Sequence, residues 1–322
     1  MDALQPSYSY GSSPLTSSSR STLYHAYLVG GNISQSLSPL LHTILFNAIE
    51  TKWSFHLAQT TDASQFTAML TAGDTIGTSI TMPNKVAFLP CLDALTEEAS
   101  VIGAVNTSFV RIAPGGRPRY IGTNTDCVGL RETILQKEPG AGVVAQGRPA
   151  MVVGGGGAAR SAIYSLWKWF QPSEIYIANR LESEVEEIVR DFTKAMPGIQ
   201  LRHIPTVEMS KQISAPHIVI GTVPDYPPQE PGEILCSNIC DAILQRDEKG
   251  LLVDMCYMPS PQTRLLKGAD GQGWKTITGA EVLLRECVAQ QILWAETEPS
   301  EMGARQALAA ISKKTMTPVS NM

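Results

Sequence analysis

An excess of positive charge is missing from this chain: 25 Lys and Arg stand against 30 Asp and Glu, for a formal net charge of −5. Nucleic acid and anionic membrane surfaces select basic patches, so neither is an expected partner. Small polar or anionic ligands respond to local charge and stay open. Long apolar runs are lacking too. None approaches the roughly 18 residues that cross a bilayer, and the stretch MDALQPSYSY has no charged-then-apolar layout of a signal peptide. Cysteine is sparse and scattered, at Cys91, Cys127, Cys236, Cys240, Cys256 and Cys287. The only close pair, Cys236 and Cys240, is separated by three residues instead of two. Reduced thiols in a cytoplasmic protein without a metal site are the expectation. No internal repeat is present.

What remains, 43% hydrophobic and 17% charged residues, is the composition of a soluble globular protein, and 322 residues suffice for two domains with separate cores. The second half is arranged around PAMVVGGGGAARSAIYSLWKWF, Pro149 to Phe170. An apolar run, Ala150 to Val153, stops at four glycines and gives way to helical spacing. Gly154, Gly156 and Ala159 fit G-x-G-x-x-G/A: the first allows a tight turn, the second lets backbone approach a pyrophosphate, and the third keeps helix and strand close. The helix N-terminus would offer N–H donors to phosphate. A glycine-rich loop with no ligand is the alternative at this point.

Residues 1–22 are rich in Ser, Tyr and Pro and predict a disordered tail. A strand follows at Tyr24 to Val29. In NISQSLSPLLHTILFNAIE, Ser36 and Ser38 precede Pro39, a first-turn residue, and Leu40, Leu41, Ile44, Leu45 and Ile49 mark one helix face. Two hydroxyls thus sit at a helix entrance, where one serine alone would read as an N-cap. Thr78 to Met82 predict a strand ended by Pro83, which leaves Asn84 and Lys85 in the following loop. Strand ends of α/β sheets are where ligands bind, although by itself Lys85 reads as a surface lysine. Asn106 in GAVNT and Asp126 in GTNTD are polar positions in apolar surroundings that must find partners. A Gly/Pro-rich stretch, residues 137–148, is the expected linker. Alternating strands and helices beyond it predict βαβ units and a parallel sheet. The last stretch, Ala280 to Trp294, predicts a helix through Val282, Leu283, Cys287, Gln291 and Trp294, with a further short helix near Gln306 to Ser312 and a frayed end beyond Lys313.

Taken in order, SLSP (Ser36 to Pro39), SITMPNK (Ser79 to Lys85), GAVNT (Gly103 to Thr107), GTNTD (Gly122 to Asp126), GGGGAARS (Gly154 to Ser161), Asn179 with Arg180, DMCYMP (Asp254 to Pro259) and the helix ending at Trp294 resemble the shikimate/quinate dehydrogenase family. The variants MPNKVAFLP, VPDYPPQ and YMPSPQT look closest to its fungal quinate dehydrogenases. The resemblance implies an α/β protein: an N-terminal substrate-binding catalytic domain over 23–136, a Rossmann-like NAD(P)-binding domain over 137–278, and C-terminal helices over 279–322 returning to the first domain, with substrate in the cleft between the two. It implies an NAD(P)-dependent oxidation of a ring hydroxyl, quinate to 3-dehydroquinate, with Lys85 and Asp126 as the catalytic pair. Shikimate, or another cyclic polyhydroxy or amino-substituted acid, is the alternative substrate, and a non-catalytic pathway regulator is the alternative of another class. Ser36 and Ser38 would take the substrate carboxylate, and Thr81, Asn106, Tyr257 and Glu286 would line the rest of the site. Gly154, Gly156, Gly157, Ala158, Asn179, Arg180, Val223, Met255 and Gly279 would hold the dinucleotide. The expected assembly is a monomer or homodimer.

Two positions depart from the family pattern. Glu286 stands where the family usually carries a Gln, which adds a charge near an anionic substrate unless Glu286 is neutralised or turned away. At the end of the second dinucleotide-domain strand, Asn179 and Arg180 replace the usual NAD-binding acid, but Leu181 and Glu184 replace the Thr and the base of NADP users. A 2′-phosphate would meet Glu184, and the expected cofactor is NAD over NADP.

Overall fold

Two six-stranded sheets, each with its own helices, account for the chain. A computed structural model describes residues 1–316 and divides them into unit 1, residues 1–129 with the chain from Leu283 onward, and unit 2, residues 130–282. Both divisions fall inside helices instead of at the 137–148 stretch.

The first elements of unit 1 are β1 (His25–Gly30), α1 (Ser38–Ala48), β2 (Ser54–Gln59), α2 (Ala63–Leu70), β3 (Thr75–Ile80), α3 (Asn84–Ala87), β4 (Ala94–Leu95), α4 (Glu97–Ile102), β5 (Thr107–Ile112), β6 (Pro118–Thr123) and α5 (Thr125–Lys137), which crosses into unit 2. The sheet order is β2-β1-β3-β5-β6-β4. β1 lies parallel to β2 and β3, and β5 runs antiparallel to β3 and β6. The turn between β5 and β6 is allowed by Gly115 and Gly116, both at positive φ. β3, TIGTSI, is buried along its whole length, as a strand covered on both faces must be. Its register sets Ser79 opposite Thr107, and Thr107 opposite Thr123, so the end of β3, the start of β5 and the end of β6 meet at one rim.

Unit 2 continues with α6 (Ala141–Val144), β7 (Ala150–Val153), α7 (Gly157–Ser165), β8 (Ile175–Ala178), α8 (Glu182–Ala195), β9 (Leu201–His203), α9 (Val207–Gln212), β10 (Ile218–Gly221), α10 (Pro231–Leu244), β11 (Leu251–Asp254), α11 (Arg264–Gly271) and β12 (Lys275–Ile277). All its pairings are parallel, in the order β12-β11-β10-β7-β8-β9. AMVV, IYIA, IVIG and LLVD are buried throughout, the continuous apolar runs of a doubly covered sheet. Strand order reverses between β7 and β10, the switch point where such sheets open a crevice at their carboxyl ends.

The chain then returns to unit 1 through α12 (Gly279–Ala295) and α13 (Glu301–Met316). Trp294 donates its indole N–H to the Ser108 carbonyl at 2.9 Å, and Gly77 makes room for it: a Cβ there would lie 2.1 Å from Trp294 Nε1. α13 exceeds the expected Gln306 to Ser312 because a stripe of small or apolar residues, Gly303, Ala307 and Ile311, extends its buried face; a Cβ on Gly303 would lie 2.4 Å from Ala48 Cβ on α1. The expectation of fraying falls partly on this helix and partly outside the described residues.

Residues 1–22 are not a disordered tail. Asp2–Tyr10 and Ser17–Ser21 form 3-10 turns, and Leu4 is buried. Ser12 exchanges two backbone hydrogen bonds with Ile112 at the end of β5. Tyr10 donates to the Leu95 carbonyl at 2.9 Å, and Trp53 Nε1 donates to the Ser19 carbonyl at 3.0 Å. These anchors are spaced without a period of two or 3.6, which is why composition alone misled.

Candidate active site

Val105 donates its backbone N–H to the Lys85 carbonyl at 2.8 Å, so the single turn of α3 is tied to the strand ends at the rim of the unit 1 sheet. There Lys85 Nζ donates to Asp126 Oδ2 at 2.6 Å. The Lys85 side chain is 21% exposed and that of Asp126 only 7%, so the pair is largely buried and the lysine is its more accessible member. Asp126 lies in the first turn of α5, where the helix dipole favours a carboxylate. Burial pulls the Lys85 ammonium down, but the Asp126 and Glu286 carboxyls and the hydrogen bond to Asp126 outweigh it and leave its pKa above the usual value. Lys85 is thus an ammonium at neutral pH.

Asn106 lies immediately before β5. Its carbonyl oxygen accepts from the Thr125 N–H at 2.6 Å and from the hydroxyls of Thr107 at 2.9 Å and Thr125 at 3.1 Å. That fixes the amide, whose Nδ2 donates to Asp126 Oδ1 at 2.8 Å and to Glu286 Oε1 at 3.2 Å. Glu286 is turned inward. Burial, and secondly the Asp126 charge, push its pKa up to about 8 against the pull of Lys85, so it is neutral at pH 7.

Gln290, unremarked in the sequence, is the hub of the same site. Its Nε2 faces the Thr107 and Thr125 hydroxyls and Glu286 Oε1 at 3.0, 3.3 and 3.2 Å, while its Oε1 accepts from Ser79 at 3.0 Å and His42 Nε2 at 2.9 Å. The available signal was its position on α12, four residues after Glu286 and four before Trp294, hence on the same helix face. His42 stacks on Phe55 at 4.2 Å, and burial lowers its pKa to about 3. A group depressed in this way stabilises the fold above its unfolded pKa of about 6.5, and that contribution is lost as pH falls towards the folded value. Relative to a His42→Phe variant, the parent is expected to lose about 1 kcal/mol per pH unit between about pH 6.5 and 5. Chemical denaturation of both across that range checks it, and a constant gap would mean that His42 is not held neutral. The comparison cancels Glu286, whose raised pKa acts in the opposite sense.

Ser36 and Ser38 are brought together, with Ser36 Oγ donating to Ser38 Oγ at 3.1 Å. Neither is an ordinary N-cap: the cap position is Leu37, and Ser36 Oγ accepts only the Ser38 N–H, at 3.2 Å. Thr81 follows β3, with its backbone N–H on the Val29 carbonyl at 3.0 Å. Tyr257 belongs to unit 2, half-buried three residues past β11.

In unit 2 the glycine loop joins β7 to α7. Gly154 has φ +125°, and a Cβ there would lie 2.3 Å from Thr222 Oγ1 and 3.2 Å from Val223, so this turn requires glycine. Gly156 caps α7 without a side-chain cap, and nothing lies within 4 Å of a Cβ built there, so the end of the helix that begins with Gly157 and Ala158 is the kind that suits phosphate. Ala159 is fully buried at the helix–strand contact. Met255 and Gly279 lie side by side, since a Cβ on Gly279 would be 2.4 Å from the Met255 carbonyl oxygen. Asn179 Nδ2 donates to Glu184 Oε2 at 2.6 Å, and Arg180 is paired with Glu233 at 2.7 Å. Loop, helix end and strand end therefore suit a dinucleotide. Among the described residues no cluster of three or more His, Cys, Asp or Glu could hold a metal ion, and no helix is long and apolar enough to cross a membrane.

Residues 28–108 match the family model described as the shikimate dehydrogenase substrate binding domain. The quinate dehydrogenase of Emericella nidulans is 38% identical over 285 residues, covering 84% of this chain and 87% of that one. These relatives are oxidoreductases acting on CH–OH groups, and that is the class in which fold and sequence place the protein. The chain belongs to the shikimate/quinate dehydrogenase family. A shikimate 5-dehydrogenase of Thermus thermophilus, solved with NADP(H) and shikimate, is 25% identical with a TM-score of 0.70, covering 89% of this chain and 99% of that one. The Corynebacterium glutamicum quinate dehydrogenase, solved with NAD, shares the fold at 23% identity and a TM-score of 0.74, over 90% of this chain and 100% of that one.

Proposed function

We propose that the protein is an NAD-dependent quinate dehydrogenase that oxidises a ring hydroxyl of quinate to give 3-dehydroquinate, with unit 1 binding the acid and unit 2 the dinucleotide. The observation that carries this is the 2.6 Å Lys85–Asp126 pair, held by Asn106, in a chain 38% identical to a quinate dehydrogenase. A bound nicotinamide dinucleotide supplies the two-electron acceptor. Lys85 takes the proton of the departing hydroxyl in oxidation and returns it to the ketone in reduction. Asp126 orients the lysine and keeps its Nζ on the reacting oxygen. The paired hydroxyls of Ser36 and Ser38 suit a carboxylate, and Thr81 and Asn106 offer polar groups for the ring hydroxyls. Six free thiols accord with a cytoplasmic protein.

The preference for NAD rests on charge. Glu184 reaches the glycine loop, where a Cβ on Gly155 would lie 2.5 Å from its Oε2, and Arg180 is engaged by Glu233. A 2′-phosphate at the end of β8 would meet a carboxylate without a free cation. Assays of NADH and NADPH formation against quinate, shikimate and close analogues test both parts. Quinate with NAD is expected to give the highest kcat/KM, with NAD favoured over NADP about tenfold or more, a modest coupling of one charge. Glu184→Gln is expected to narrow that ratio. Turnover of neither acid would overturn the functional reading, and a preference for NADP would overturn the charge account.

A further inference from the structure

Two carboxyl groups and one ammonium share the interior of the Lys85 site. Asp126 enters from α5, Glu286 from α12 and Lys85 from α3, and one amide nitrogen, Asn106 Nδ2, serves both acids at 2.8 and 3.2 Å. Lys85 donates to Asp126, while Glu286 accepts from the neutral amides of Asn106 and Gln290 and shares a further side-chain hydrogen bond with Asp126, the arrangement of a protonated acid beside a carboxylate. Among the described residues, Lys85 is the cation whose charge acts on Glu286. His42 on α1, reached through Gln290, is held neutral, and the neighbouring buried thiols, Cys287 on α12 and Cys127 on α5, have their pKa values pushed up by burial. With both acids ionised the cluster would carry one uncompensated negative charge before any substrate arrived, and a carboxylate substrate would add a second. Like charges in one site resist ionising together, and one acid keeps its proton.

We propose that Glu286 is a proton-operated gate for the anionic substrate: neutral Glu286 leaves Lys85 and Asp126 as a balanced pair and admits a carboxylate-bearing ring, whereas ionised Glu286 repels it. This rests on the assignment of a cyclic hydroxy acid as the ligand. With its pKa raised to about 8, Glu286 keeps the gate open at neutral pH and closes it in mild alkali. Lys85, raised above its usual value, remains an ammonium through that window and does not titrate with it. By reciprocity, binding of the acid tightens the hold on the proton by the factor that ionisation weakens the acid.

The test measures equilibrium binding of quinate and of shikimate to the full chain from about pH 6.5 to 10, for the wild type and Glu286→Gln, with infrared difference spectra of the two ligand-free proteins in the protonated-carboxyl region. The wild-type Kd is expected to rise about tenfold between about pH 7 and 9.5, within the usual range of coupling between two sites, and that of Glu286→Gln by less than about twofold. The ligand-free wild type should show a protonated-carboxyl band at pH 7 that the variant lacks and that fades as pH rises. A wild-type Kd independent of pH, or a variant that weakens in parallel, overturns the gate. Failure of the functional assignment looks different: the wild type would bind neither acid at any pH. The infrared band would then decide whether Glu286 holds its proton, and its absence would overturn the proposal on its own.

Discussion

Replacing Lys85 by alanine is expected to lower turnover about 100-fold or more, the usual scale for a general acid or base, while leaving dinucleotide affinity in place. The loss corresponds to about 2.7 kcal/mol of transition-state stabilisation. It arises because Lys85 Nζ is the only cation in the cluster and is already positioned by Asp126 at 2.6 Å, so alanine removes both the proton carrier and the charge that balances that carboxylate. Steady-state kcat in both directions, with fluorescence titration of the dinucleotide, measures the two parts separately. Turnover within about threefold of wild type would remove Lys85 from the chemistry. The raised pKa of Lys85 gives the two directions different pH behaviour. Reduction finds the proton in place at neutral pH, whereas oxidation must wait for the free amine and gains rate as pH rises. Closure of the Glu286 gate works against that gain, so oxidation should pass through an optimum.

The second large effect falls on stability. Gln290 is buried and serves His42, Ser79, Thr107, Thr125 and Glu286 at once. Gln290→Leu fills the same space but strands several buried donors and acceptors, each costing about 1 to 3 kcal/mol before relaxation. A net loss of about 3 kcal/mol is expected, or a fall in apparent Tm of about 6 to 12 °C. Gln291→Leu is the control on the next residue. That side chain is equally buried, yet both its amide atoms lack partners, so leucine there should cost nothing or stabilise. Thermal denaturation of the two variants side by side distinguishes them, and equal shifts would mean that the Gln290 network does not stabilise the fold.

Much of the candidate site's layout was legible in the sequence because its charged residues lie in short segments at strand ends. SITMPNK and GTNTD each deliver one charged residue to the rim where β3, β5 and β6 finish, and the glycine loop declared its strand, turn and helix by apolar periodicity. Gln290 and His42 were not legible: a polar residue on a helix face does not reveal from sequence whether it faces water or five partners. The state of Glu286 was also undecidable, since its pKa depends on burial and on Asp126, which lies 160 positions earlier in the chain. The N-terminal turns escaped for a different reason, because scattered single anchors such as Leu4 and Tyr10 carry no period.

The division of unit 1 between the two ends of the chain has a consequence for its birth on the ribosome. Unit 2 is one continuous segment, but the unit 1 sheet must wait for Gln290 and Trp294, about 160 residues after Gly129. At about 5 to 20 residues per second the delay is roughly 10 to 30 s. Through that interval Ser79, Thr107, Thr125, His42 and the slot over Gly77 have no occupant from α12. Completion of the unit 1 sheet is therefore tied to the last part of synthesis, and slower translation before residue 290 would lengthen the wait.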